Sequence, residues 1–246
     1  MPLKASPDIQ RHLLDLQALD TKLQQLRHQS TALPVLATLK TLNEEADAIS
    51  AQLLGETGAV EDTQLELERI EADVAVVEAR IKRDSDRLDV ASSVKDVAGL
   101  EQELAALRKR QNDLEEIQLG VMEVLEEREA AVAATTARLD AVKAKIAEAE
   151  AERDTALASV ASERTHAEAN RATIADKLPA DLLELYERQR QRYGFGASLL
   201  QGGVSLASGV KLNASDLDTI KAAADDDVLI CPDSQAILVR TPESGL

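Results

Sequence analysis

The stretch Leu88-Asp89-Val90-Ala91-Ser92-Ser93-Val94-Lys95-Asp96-Val97-Ala98-Gly99-Leu100 decides the fold. It is a short break between two long runs of the same periodicity. Before it, Leu39, Leu42, Ala46, Ile49, Leu53, Val60, Thr63, Leu67, Ile70, Val74, Val77, Ile81 and Leu88 step by three and four, with Glu56 and Asp84 as charged members of the series. After it, Leu100, Leu104, Leu107, Gln111, Leu114, Gln118, Val121, Leu125, Arg128, Val132, Thr135, Leu139, Val142, Ile146 and Ala149 do the same, continuing more weakly to Leu178. A stride of 3.5 held this long specifies a left-handed coiled coil. Two such runs around a short break predict an antiparallel hairpin with its tip at about 89–96. Ser93 followed by Asp96 reads as an N-cap with a first-turn acid.

Placing Leu88 opposite Leu100 makes facing residue numbers add to about 188. Gly55 and Gly58 then face Ala133 and Ala130, where glycine weakens a helix by about 1 kcal/mol relative to alanine, and a kink or soft hinge is expected. The polar heptad members Gln111, Gln118 and Arg128 are read as register-setting.

Upstream, Ile9, Leu13, Leu16, Leu23 and Leu26 mark a shorter helix over about 7–29, ended before Pro34. The second hairpin arm outlasts the first and gives this helix a surface to pack on. Downstream, Pro179 opens a short helix through Arg188, and Gly194 to Gly203 reads as a Gly-rich linker. Beyond it, Val210–Leu212 and Ala236–Arg240 read as strands, with a short helix or turn from Ser215 to Ala224. The chain is therefore expected to be mostly α, a long antiparallel coiled-coil hairpin over 1–178 with a short N-terminal helix, and a small α+β module within 179–246.

Composition agrees. Of 246 residues only Tyr186, Tyr193 and Phe195 are aromatic, too few rings for an ordinary core of this size. The net charge of −17 argues against bulk binding to nucleic acid or anionic membranes. A single cysteine, Cys231, excludes an intrachain disulfide. No signal peptide or membrane-length apolar run is read, so a cytoplasmic location is expected.

The segments Leu13-Leu14-Asp15-Leu16-Gln17-Ala18-Leu19-Asp20, Ser93-Val94-Lys95-Asp96, Leu100-Glu101-Gln102-Glu103-Leu104, Arg110-Gln111-Asn112-Asp113-Leu114-Glu115, Leu178-Pro179, Tyr186-Glu187-Arg188 and Ile237-Leu238-Val239-Arg240-Thr241 together resemble the bacterial family that joins a coiled-coil hairpin to a C-terminal four-cysteine zinc ribbon. The resemblance implies a ribbon-like module whose two Cys-x-x-Cys knuckles grip one Zn²⁺. It aligns those knuckles with Ser205-Leu206-Ala207-Ser208 and Cys231-Pro232-Asp233-Ser234. Three of the four ligand positions, Ser205, Ser208 and Ser234, are then serine. With one thiol left and no histidine nearby, zinc is not expected and no other cofactor is called for. The module must rely on an apolar core including Val210, Leu212, Leu217, Ile220, Val228, Ile230, Ile237 and Val239, docked near Tyr186, Tyr193 and Phe195. Members of the family are associated with adaptor roles in flagellar or secretion machinery and in gene expression, which the resemblance implies here.

No catalytic constellation is present. His12, His28 and His166 are isolated from any Ser or Cys nucleophile pattern, and Asp225-Asp226-Asp227 lacks the spacing of a calcium loop and reads as a solvated acidic turn. Cys231 reads as a small apolar residue. The feature that points to a partner is a basic cluster at the predicted tip: Arg80, Lys82, Arg83, Arg87, Lys95, Arg108, Lys109 and Arg110. Asp84, Asp86, Asp89, Glu101 and Glu103 lie among these residues and would turn the cluster into a face laced with salt bridges. The expected role is a non-enzymatic adaptor, scaffold or chaperone-like protein acting on a protein partner. The alternative is an RNA- or nucleic-acid-binding regulator working through the basic tip; the absence of tip aromatics disfavours it. Partner identity and oligomeric state stay open at this level.

Overall fold

The computed structural model describes residues 3–245. The element order is α1 (Pro7–Thr31), α2 (Pro34–Asp89), α3 (Val94–Ala175), α4 (Ala180–Tyr193), β1 (Ala197–Gln201), β2 (Val204–Ser205), β3 (Val210–Lys211), α5 (Ala214–Ala222), β4 (Leu229–Ile230), β5 (Ile237–Val239) and a 3-10 turn, Pro242–Ser244. It is the mostly helical hairpin architecture with a small α+β module. The chain divides into two compact units, Val35–Ala151, and Met1–Pro34 together with Glu152–Leu246. This division differs from a cut after residue 178, because α1 is held by the C-terminal strands and not by the coiled coil alone.

Within Val35–Ala151 the heptad residues form the buried seam. On α2 the buried positions Leu39, Ile49, Thr63, Ile70 and Asp84 all belong to the 3.5 stride, and Val35 extends it by one step of four toward the N-terminus. Ile49 packs with Leu139 and Val142 in one apolar cluster, and 49 and 139 add to 188, the register expected from the turn. Farther along, Arg128 donates to Ala59 O at 2.8 Å and to Thr63 Oγ1, and Gln111 donates to Glu78 Oε1 at 3.3 Å. Arg128 and Gln111 thus cross-link the helices. At Gly55 and Gly58, α2 continues as unbroken helix, with open space where each Cβ would stand. The turn spans residues 90–93. Val97 N–H donates to the Ser93 carbonyl at 3.0 Å; it is this backbone bond, and not a Ser93 side-chain cap, that opens α3.

The other unit is built on α1. Its Leu13 and Leu16 are fully buried against Leu178, Leu182 and Tyr186 of the helical part and against Ala197, Ile237 and Val239 of the sheet. The five strands run in the order β3-β2-β1-β5-β4. The stretch read as a Gly-rich linker is the centre of this sheet: β1 pairs in parallel with β5, Ala197 against Ile237 and Leu199 against Val239. Its glycines misled because they serve packing and turns. Gly196 lies against the Tyr186 ring, where a Cβ would come within 2.4 Å of Cε2, and Gly202 and Gly203 take positive φ in the β1–β2 turn. The expected core holds at Leu212, Ile220, Ile237 and Val239, whereas Val210 and Ile230 are exposed, as are Tyr193 and Phe195. Val210 and Ile230 lie on the outer strands β3 and β4, which have a neighbour on one side only.

The acidic run is also tied down, not merely solvated. Ala5 N–H donates to Asp226 O at 2.8 Å and Val228 N–H to Leu3 O at 3.0 Å, while Lys4 Nζ lies 3.0 Å from Asp226 and 3.4 Å from Asp227. Arg240, immediately after β5, donates to the carbonyls of Ile220, Ala223, Ala224 and Asp227. It closes the end of α5, where backbone carbonyls are otherwise left without partners.

Candidate functional site

The basic cluster sits at the turn end of the hairpin. Arg80, Lys82, Arg83 and Arg87 are on the last turns of α2, Lys95 on the first turn of α3, and Arg108, Lys109 and Arg110 further along α3; all eight are exposed. The 188 register sets Arg80 level with Arg108. Arg83 and Arg87 are engaged by Asp84, a heptad residue only 1% exposed. Arg87 Nη1 donates to Asp84 Oδ1 at 3.3 Å, and Arg83 Nε is 3.6 Å from the same oxygen. Asp84 Oδ2 is buried with no hydrogen-bond partner. Among the described residues, Arg80, Lys82, Lys95, Arg108, Lys109 and Arg110 form no ion pair within 4.0 Å. The lacing salt bridges that the neighbouring acids would allow form only at Asp84. At the turn itself two apolar side chains stand in solvent, Val90 at 81% and Val94 at 88% exposure.

Ser205, Ser208, Cys231 and Ser234, the positions that the resemblance aligns with zinc ligands, fall in the C-terminal module. Ser205 ends β2 and Cys231 follows β4; both are completely buried. Ser208 and Ser234 are half-buried. The Ser205 hydroxyl lies 2.9 Å from that of Ser198 on β1, a residue sequence reasoning passed over because it was assigned to the linker. Ser234 N–H reaches Cys231 Sγ at 3.5 Å. Burial pushes the Cys231 thiol up, and the hydroxyls of Ser234 and Ser205 with the N–H groups of Ser234 and Asp233 more than reverse it, leaving its pKa below the ordinary value. As donors to zinc these residues do not fit. One thiol and three hydroxyls, with Ser205 already hydrogen-bonded, offer no tetrahedral set of soft ligands. Among the described residues no three His, Cys, Asp or Glu side chains gather as a metal-binding group.

A further polar cluster lies where α1, α3 and α4 meet. Arg171 holds Asp20 through two hydrogen bonds, Nε to Oδ1 at 2.6 Å and Nη2 to Oδ2 at 3.1 Å, and Nη2 also meets Glu187. Arg190 grips Glu187 at 2.7 Å, and Tyr186 Oη donates to Asp20 at 2.7 Å. Burial, with Asp20 beside it, drives the Tyr186 phenol well above the ordinary tyrosine range. Asp20, Arg171 and Arg190 line a cleft of about 710 Å³ that also includes Arg27, Arg164 and Glu168. The arginines there are largely satisfied by carboxylates, so the cluster is a structural clasp. The signal for it was in the sequence: Asp20 continues the Leu13–Leu16 stride and so places a charge on the core face.

The description "CT398-like coiled coil hairpin domain" matches residues 16–194, covering the hairpin and most of the helical base. The chain belongs to this family of coiled-coil hairpin proteins. Within it, the chain is similar to the protein Rv2229c of Mycobacterium tuberculosis, 35% identical over 239 residues that cover 97% of this chain and 98% of the relative. It is also similar to ML1638 of Mycobacterium leprae, 25% identical over 221 residues, covering 89% and 95%. A solved structure from Mycobacterium smegmatis superposes with a TM-score of 0.86 at 33% identity, covering 97% of this chain and all of that one. The HP0958 protein of Helicobacter pylori superposes with a TM-score of 0.50 at 13% identity, over 96% and 98% of the two chains, and shares the fold alone. The CT398-like hairpin here includes no helix long and apolar enough to cross a membrane among the described residues.

Proposed function

We propose that this CT398-like protein is a non-enzymatic adaptor or scaffold of the bacterial cytoplasm that captures an acidic segment of a protein partner at the turn end of its hairpin, with the C-terminal module as a second contact. The observation that carries this reading is the state of the basic cluster. Six exposed cations there are not neutralised by the chain's own acids, although acids outnumber bases 45 to 28. Cations left unpaired on so acidic a molecule favour an anionic partner and speed encounter with it. Val90 and Val94, bare at the turn, add apolar anchors that suit a protein surface better than a phosphate backbone.

The test is retention of proteins from bacterial cytoplasm by the full chain and by Arg80→Glu/Arg108→Glu/Lys109→Glu/Arg110→Glu. All four residues are exposed, so the variant keeps its fold, and circular dichroism verifies that. The expected result is a small set of proteins retained by the native chain, released at high salt, lost from the variant and untouched by ribonuclease. Equal retention by both chains refutes the proposal. Retention abolished by ribonuclease replaces it with the RNA reading, in which affinity also falls steeply with salt.

A further inference from the structure

Two turns of the C-terminal module repeat one geometry. In Ser205-Leu206-Ala207-Ser208-Gly209, Gly209 N–H donates to Ser205 O at 2.8 Å; in Cys231-Pro232-Asp233-Ser234-Gln235, Gln235 N–H donates to Cys231 O at 3.0 Å. Each turn ends in the left-handed region, Gly209 at φ 68° and Gln235 at φ 59°, and Gln235 is the single non-glycine residue with positive φ among the described residues. The fourth residue of each turn accepts from the N–H two positions on: Val210 N to Ser208 Oγ at 3.3 Å, Ala236 N to Ser234 Oγ at 3.4 Å. Each turn closes its first residue against the sixth, Ser205 pairing with Val210 and Cys231 N–H bonding Ala236 O at 2.9 Å. The first residues of both are fully buried. This is the arrangement in which ligands at positions one and four of two turns would grip a single tetrahedral ion.

We infer that the module is a metal-site frame in which two hydrogen-bonded pairs, the hydroxyls of Ser198 and Ser205 and the Ser234 N–H on Cys231 Sγ, have taken the place of the ion, so that its folding is independent of metal. Ser198 is the added part. It lies outside both turns on β1, is 4% exposed, bonds the Ser205 hydroxyl, and accepts Ala207 N–H at 2.9 Å. It therefore stitches the first turn to the central strand. Structural zinc contributes far more to modules of this size than a few hydroxyl hydrogen bonds can replace. The remainder comes from burial: Ala197, Ile237 and Val239 share one core with Leu13, Leu16 and Tyr186, so the sheet leans on the helices where an isolated ribbon would need its ion.

Metal analysis and unfolding of the full chain with chelator or added zinc are expected to show no stoichiometric metal and an unmoved midpoint. One zinc per chain, or a midpoint lowered by chelation, overturns metal independence, and neither measurement depends on any variant. Ser198→Ala is expected to lower the midpoint equally with and without zinc; no change removes the role of the hydroxyl pair. The combined Ser205→Cys, Ser208→Cys and Ser234→Cys chain is expected to bind one Co²⁺ with tetrahedral thiolate absorption and to gain stability from zinc. A triple variant that takes up no metal, whether folded or unfolded, overturns the metal-site frame.

Discussion

Tyr186 donates its phenolic proton to Asp20 Oδ2 at 2.7 Å, joining α4 to α1 across 166 residues of sequence. Asp20 is 8% exposed and also receives the guanidinium of Arg171. Removing the carboxylate leaves Arg171 with Glu187 alone and the buried phenol with only its long contact to Gln17. Asp20→Ala is expected to cost about 2–3 kcal/mol, the lower side of the range for breaking a buried pair because Arg171 retains some solvent contact. Tyr186→Phe, which deletes one hydrogen bond and keeps the ring, should cost about 1 kcal/mol. Urea unfolding followed by circular dichroism distinguishes the two.

The same burial sets an alkaline limit. The Tyr186 pKa is raised in the folded chain, while an unfolded tyrosine ionises near pH 10. A raised folded value means the contribution is complete below about pH 10 and is lost as pH climbs, because the unfolded chain releases the proton first. Ultraviolet titration should show Tyr186 resisting ionisation until the helical base unfolds, and Tyr186→Phe should flatten the alkaline fall in stability. A normal titration of both tyrosines with the helices intact contradicts this.

Gly196 is needed for the bare space over the Tyr186 ring. A methyl group there would overlap Cε2 and Cδ2, so Gly196→Ala should cost about 2 kcal/mol as overpacking. On a Tyr186→Leu background the penalty should shrink markedly, a coupling that a double-mutant cycle reads directly.

Asp84 presents the opposite case. Its carboxylate occupies a heptad position, and one oxygen is buried without a partner. Asp84→Leu should be stabilising by about 1 kcal/mol, since an apolar residue relieves a desolvated charge in the seam. It also releases Arg83 and Arg87, so anion binding at the hairpin end should strengthen in the same variant. Thermal unfolding and binding of an acidic peptide measure the two effects.

The hairpin was legible because a coiled coil is a one-dimensional code. The stride from Leu39 to Leu88 and from Leu100 to Ala149 states its own partner and register, and Ile49 against Leu139 meets the 188 rule set at the turn. The basic residues at its end were legible for the same reason, since register alone puts Arg80 beside Arg108. The C-terminal sheet was only partly so. Its strands are two to five residues long, too short to carry a period, and Gly196, Gly202 and Gly203 around β1 looked like linker until Tyr186 and the β1–β2 turn explained them.

Helix, stride and antiparallel pairing follow from the order of residues, because each depends on spacing along one chain. Which cations stay unpaired, why Asp20 is buried, that Ser198 meets Ser205, and that α1 shares a core with strands some 180 to 220 residues later were decided only by tertiary structure. Those features depend on the distance between groups that the sequence holds far apart, and the energy of a hydrogen bond or an ion pair exists only once folding has brought its two ends together.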